Sequence, residues 1–149
     1  MPTKTAHVVQ LQGITFAGTA DSKHWVVMDG PEEFGGHAAA TRPKELVLLA
    51  LAGCTASDVV SILKKKRAPL SRLEINVTAE EASEHPTVYT RIHVEYVCHG
   101  DGLLPADVER AIELSETKYC PVITMLRPTV AITHSYRLEQ VLAAVGAGS

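Results

Sequence analysis

Residues 43–67 read PKELVLLALAGCTASDVVSILKKKR, and this stretch dictates how the rest of the chain must be arranged. Pro43 suits the first turn of a helix, where its missing N–H is not needed. Between residues 46 and 63 there is no proline, and Gly53 is the only glycine. As one helix the stretch is about 36 Å long. Leu46, Val47, Leu48, Leu49 and Leu51 point in every direction around the first turns, so the N-terminal half is expected to be buried on all sides. The unbroken apolar run 46–54 is shorter than the roughly 20 residues that span a bilayer. Lys64, Lys65, Lys66 and Arg67 set cations at the negative end of the helix dipole. Cys54 sits midway, and Asp58, four residues on, shares its face.

With 149 residues the chain is read as one domain, 1–149, long enough for a real core. Fourteen basic residues stand against seventeen acidic ones, for a net charge of −3. That balance argues against nucleic-acid and anionic-membrane partners, which call for a basic excess. The N-terminal segment MPTKTAHVVQLQG alternates like a strand and has no apolar signal region, so a cytoplasmic location is expected. Three cysteines give no disulfide framework. In a reducing compartment, a pair of them is better suited to reactivity than to structure.

Outward from the helix, the N-terminal third reads as a meander, with strands over 6–11, 14–19 and 23–29 and turns at Gln12-Gly13 and Asp21-Ser22. Residues 30–42, GPEEFGGHAAATR, form a long loop, which is either a functional element or a mobile surface connector. After the helix the period returns to two. Leu73, Ile75, Val77 and Ala79 share one face; Val88, Ile92, Val94, Tyr96 and Cys98 share the next, across a break at Glu84-His85-Pro86. Pro105 opens a second helix to about Lys118, with Val108, Ala111, Ile112 and Ser115 inward. Pro121 opens a short third, and Val130, Ile132, His134, Tyr136 and Leu138 alternate as a last strand. The tail AAVGAGS is expected to fray. This order gives an α+β class with antiparallel sheet. Six strands and one amphipathic helix cannot cover a helix that is apolar all round, so a homodimer is the expected solution.

Two cysteines stand out. Cys120 precedes Pro121 at a helix N-terminus, where free N–H groups and the dipole lower a thiol pKa, and Lys118 adds a cation. An ordinary small buried residue is the equal alternative. Cys54 gets no help from a helix end, and Asp58 alone disfavours a thiolate. Thr55, Ser57 and Asp58 beside it need partners if buried, which a small polar pocket at the helix midpoint would supply. Cys98 is read as structural. The seven histidines show no metal-ligand spacing, His134 is read as a core histidine, and no phosphate loop, nucleophile elbow or zinc pattern is present. No metal, nucleotide or flavin cofactor is implied.

These motifs carry a resemblance. PKELVLLALAGCTASDVVSILKKKR resembles the core-helix signature of the OsmC/Ohr family (osmotically inducible and organic hydroperoxide resistance proteins). ELSETKYCPVITML followed by ITHSYRL resembles its second-cysteine signature, and VVMDGP ahead of the long loop matches too. The resemblance runs from about residue 14 to 138. It implies a two-layer α+β fold, with antiparallel sheets wrapped around a long central helix in an intertwined homodimer. It also implies a thiol peroxidase acting on small organic hydroperoxides. By position, Cys54 would be the peroxidatic thiolate and Cys120 the resolving cysteine. Cys54 becomes a sulfenic acid, Cys120 condenses with it, and an external thiol reduces the disulfide. The peroxidase branches activate the first cysteine with an arginine from the N-terminal strands. Here no arginine precedes Arg42, so Lys23 in the third strand, or Arg42 and Lys44, would take that part. The family glutamate that follows the core-helix proline is Lys44 here, and the acid is Glu45, turned by about 100°. Asp58, in CTASD, resembles a less characterised branch. The site expected from all of this is Cys54, Cys120, Glu45, Lys23 and Asp58. The other expectation is a dimer of the same fold without efficient peroxidase activity, holding a small thiol or apolar metabolite in its interface pocket.

Overall fold

The computed structural model describes residues 1–140; the tail expected to fray lies outside them. Two compact units divide the chain between Leu49 and Ala50. The N-terminal unit holds β1 (Ala6–Gln12), β2 (Thr15–Ala20) and β3 (Trp25–Met28) in the order β1-β2-β3, all antiparallel. The third strand is shorter than the sequence suggests. Ala20 accepts a hydrogen bond from the Lys23 N–H at 2.9 Å, and Lys23 takes a left-handed φ of 65°. Lys23 therefore belongs to the tight turn before β3, not to the strand, which corrects its expected place.

Residues 30–42 are tied down rather than loose. The Asp29 carboxylate, buried, accepts from Thr15 Oγ1 at 2.9 Å, from the Gly30 N–H at 2.8 Å, and from the His37 and Ala39 N–H groups at 3.1 Å. Thr15 gives its one proton to Asp29, so it meets His37 Nδ1, 2.7 Å away, as an acceptor. Burial acts to raise the Asp29 pKa, but these donors outweigh it and hold the carboxyl at about 2. Gly36 is required here, since a Cβ would lie 2.1 Å from the Gly30 carbonyl oxygen.

The core helix is α1 (Pro43–Lys65). Burial on all sides is not what the single chain shows. The buried residues are Leu51, Thr55, Val59 and Leu63, one stripe spaced by four, while Leu49 is 58% exposed. By length and composition α1 could cross a membrane, since it holds an 18-residue window with a mean hydropathy of 2.1. Its buried stripe nonetheless seats it as a core helix in the second unit.

That unit carries β4 (Arg72–Glu81), β5 (Tyr89–His99) and β6 (Ala131–Glu139) in the order β4-β5-β6. β4 pairs antiparallel with β5, as expected, with Ile75 opposite Tyr96. β6 runs parallel to β5, Ile92 opposite Ile132 and Tyr96 opposite Tyr136. The antiparallel expectation thus fails for this one pair, because α2 (Pro105–Leu114), a π-helical turn (Ser115–Tyr119) and α3 (Pro121–Leu126) carry the chain back before β6 begins. The core is Ile92, Val94, Tyr96 and Cys98 of β5 with Val108, Ala111 and Ile112 of α2, Ile123 of α3 and the α1 stripe.

Candidate functional site

The second unit brings the two expected cysteines together. Cys54 is half-buried at the midpoint of α1, and Cys120 is buried at the start of α3. Cys54 is a near enough neighbour to bear on the Cys120 thiol, and both thiols are free. The Cys120 sulfur accepts weakly from the Ile123 N–H at 3.5 Å, the help expected from a helix start. Burial outweighs it, and the neighbouring Cys54 thiol adds to the effect, so the Cys120 pKa is pushed up to about 11. This corrects the local expectation of an acidic Cys120: desolvation exceeds the pull of the helix start. Cys98 is fully buried and its thiol pKa is raised by burial, in keeping with a structural role.

Around the thiols runs a row of hydroxyls. Thr55 Oγ1 lies 2.7 Å from the Tyr96 hydroxyl and 2.8 Å from Ser115 Oγ. Ser115 Oγ donates to Asp58 Oδ2 at 2.8 Å. Tyr96, Thr55 and Ser115 are fully buried, while Asp58 is half-buried and borders a cleft of about 320 Å³ with Ser61, Ile62, Lys65, Lys66, Leu114 and Tyr119. The partners that Thr55 and Asp58 were expected to need are therefore Tyr96 and Ser115. Burial first, then the nearby Glu116, Cys120 and Asp58 charges, raise the Tyr96 phenol well above its usual range despite the Thr55 hydrogen bond. The π-helical turn fixes the other end: the Cys120 N–H donates to the Ser115 carbonyl at 2.8 Å, five residues back. Such wide turns are frequent at functional sites.

Residues 35–135 match the model of the family described as OsmC-like protein. The chain belongs to that family. Protein YhfA of Escherichia coli (strain K12) is 41% identical over 133 residues, covering 89% of this chain and 96% of YhfA. A crystal structure of a protein from Aquifex aeolicus VF5 superposes with a TM-score of 0.83 at 26% identity, over 95% of this chain and 100% of that one. The organic hydroperoxide resistance protein OsmC of Legionella pneumophila shares the fold, with a TM-score of 0.65 at 18% identity over 91% and 97% of the two chains.

Within this OsmC-like chain the other expected site residues have local duties. Lys23 is exposed in the turn before β3. Glu45 sits at the third position of α1 and reaches back to the Arg42 N–H at 3.3 Å, with the Arg42 guanidinium at 3.4 Å. That is the returning half of a capping box, so the glutamate closes the helix start. Lys118 Nζ stands over the Tyr119 ring at 5.2 Å.

Sequence reasoning missed Glu116 and Tyr96 as members of the site and misread His134. Glu116 Oε2 takes His134 Nδ1 at 3.0 Å, and its Oε1 is buried without a partner among the described residues. His134 is partly exposed and lies edge-on to Tyr96, with ring centroids 6.3 Å apart. The signals were faint: a tyrosine at a core-facing strand position, and an acid directly after a serine on the inner face of the second helix.

Proposed function

We propose that this protein is a thiol-dependent peroxidase that reduces organic hydroperoxides in the cytoplasm, working as a homodimer. The observation that carries the reading is the Cys54 thiol as a close neighbour of Cys120, on two different elements. Cys54, the more accessible of the two, attacks the terminal peroxide oxygen as a thiolate. The O–O bond breaks, the alkoxide leaves and takes a proton as the alcohol, and Cys54 becomes a sulfenic acid. Cys120 then displaces water from that sulfur to give the disulfide, and an external thiol restores both cysteines. Asp58 serves the site through Ser115. Lys23 and Glu45 are the remaining members carried by the resemblance. The names of family relatives such as the Legionella protein support hydroperoxides as the substrate class.

The dimer is supported by apolar surface that a single chain leaves open. On one face of the first sheet Val9, Leu11, Trp25 and Val27 are all exposed, and on α1 so are Val47, Leu49 and Val60. Light scattering on a sizing column is expected to return twice the chain mass; a monomer at micromolar concentration would remove this part of the proposal.

The function is tested by mass spectrometry of the native protein before and after one equivalent of cumene hydroperoxide. The expected result is loss of two hydrogens and a Cys54–Cys120 peptide pair. Three alkylatable thiols after treatment, or turnover that survives Cys54→Ser, would overturn it.

A further inference from the structure

The hydroxyl row has a direction that follows from counting protons. A carboxylate only accepts, so the single Ser115 proton goes to Asp58. Thr55 must then donate to Ser115, and Tyr96 must donate to Thr55. Having given its proton to Thr55, Tyr96 can meet its other neighbours only as an acceptor. Four groups from β5, α1 and the π-helical turn are thus aligned head to tail, from the buried Tyr96 phenol to the half-buried Asp58 at the cleft. A phenylalanine, a valine and an alanine would fill the same core positions without three buried hydroxyls to satisfy. Ser115 also holds the Cys120 backbone through its carbonyl, so the row and the resolving thiol share one anchor.

We propose that Tyr96, Thr55, Ser115 and Asp58 form a proton relay that carries the Cys120 proton out to the cleft and returns it. The inference rests on the thiol-pair reading of the site. In the resolving step the Cys120 S–H proton passes through one water to the Tyr96 oxygen, Cys120 lying near enough to act on that phenol. The Tyr96 proton moves to Thr55, that of Thr55 to Ser115, and that of Ser115 to the Asp58 carboxylate. The Cys120 thiolate forms the S–S bond to Cys54 and breaks its S–OH bond; the departing hydroxide takes the relayed proton and leaves as water. Cys54 sulfur is reduced by one and Cys120 sulfur oxidised by one, so the step balances with no other reagent. Among the described residues, the other titratable groups facing this row are Glu116 and Tyr119 of the π-helical turn, His134 of β6 on the Glu116 Oε2, Cys54 itself, and Lys65 and Lys66 along the cleft. Lys66 is paired with Asp107 at 3.5 Å.

The test uses the azo oxidant diamide, which closes the dithiol without any hydroperoxide. It adds to one thiolate, and the second thiol displaces it as the hydrazine. Closure is followed by stopped flow and quenched mass spectrometry from pH 5 to 9. Thr55→Val cuts the row without touching a thiol, Thr55→Ser restores it, and Tyr96→Phe cuts it at the buried end. Both cuts are expected to slow closure about 100-fold at pH 7, the lower range for a positioned proton acceptor. Their rates should climb about tenfold per pH unit as hydroxide takes over, with Thr55→Ser near the parent protein. Closure of Thr55→Val or Tyr96→Phe at the parent rate would overturn the relay. So would a slower rate with an unchanged pH profile, since that reports displaced thiols alone. Should diamide closure respond as expected while cumene hydroperoxide leaves Cys54 untouched, the peroxidase reading falls and the relay stands; the converse pattern separates them the other way.

Discussion

Thr55→Val tests the internal bonding of the site through stability alone. The substitution keeps the shape of the side chain and removes one hydroxyl that makes two hydrogen bonds, at 2.7 Å to Tyr96 and 2.8 Å to Ser115. Ser115 keeps its bond to Asp58. The Tyr96 hydroxyl is left buried with nothing to donate to, an orphan that costs about 1–3 kcal/mol. Tyr96→Phe should cost less, about 0.5–1.5 kcal/mol, because Thr55 still donates to Ser115 and loses only an incoming bond. In the double variant no donor is orphaned, so its cost should fall short of the sum by about 1–2 kcal/mol. Urea unfolding at one fixed protein concentration reads this directly. With an m-value of about 2 kcal/mol per molar, a 2 kcal/mol loss moves the midpoint by about 1 M. The proton count requires Thr55→Val to be the costlier single change. A larger cost for Tyr96→Phe, or a coupling within about 0.4 kcal/mol of zero, would refute the assigned direction of the row.

Asp29 is held at about 2 in the fold, below the ordinary carboxylate, so its stabilising contribution is present above about pH 4 and is lost as pH falls from there through 2. The urea midpoint of the parent protein should drop over that window, and Asp29→Asn should be weaker at pH 7 and flatter below pH 4. Cys120, raised to about 11, is protonated at pH 8 and holds about 100-fold less thiolate than an ordinary thiol; iodoacetamide mapping of the native protein should find it nearly unlabelled until the pH approaches 11. The same raised pKa implies that stability falls as pH climbs from about 9 through 11, visible as a lower urea midpoint there and smaller in Cys120→Ser, where the raised Cys98 thiol and Tyr96 phenol still contribute. Leu51→Ala, at a fully buried position of α1, should cost about 2–5 kcal/mol in the same unfolding assay.

Much of this fold is legible from the order of residues because its elements carry clean periods. The alternation over β4 and β5 and the Pro43, Pro105 and Pro121 helix starts place these elements to within a residue or two. The parallel return of β6 is not legible that way, because strand direction depends on where α2 and α3 lay the chain down, and no local pattern encodes it. In the site, Cys54 and Cys120 are readable from their contexts. Cys120 shows where local reasoning stops: a helix start lowers a thiol pKa, but the burial that overrides it comes from residues far along the chain. The same holds for Thr55, whose partners are 41 and 60 residues away. Glu45 makes a different point: its position marks it for chemistry, and in the fold its carboxylate also bonds the start of α1, a duty its distance of three residues from Arg42 makes readable.

The π-helical turn makes the site sensitive to chain length rather than to composition. Ser115–Tyr119 fits one residue more into its loop than an α-turn does, and that extra residue sets how far Cys120 is rotated when it leaves the turn. Removing one of residues 116–118 would let the segment relax to an ordinary α-helix and leave both cysteines in the chain. It would also swing Cys120 by about 100° about the axis. In this protein a single-residue deletion at that place is therefore a loss of register, and counting conserved-looking cysteines in a shortened relative would not reveal it.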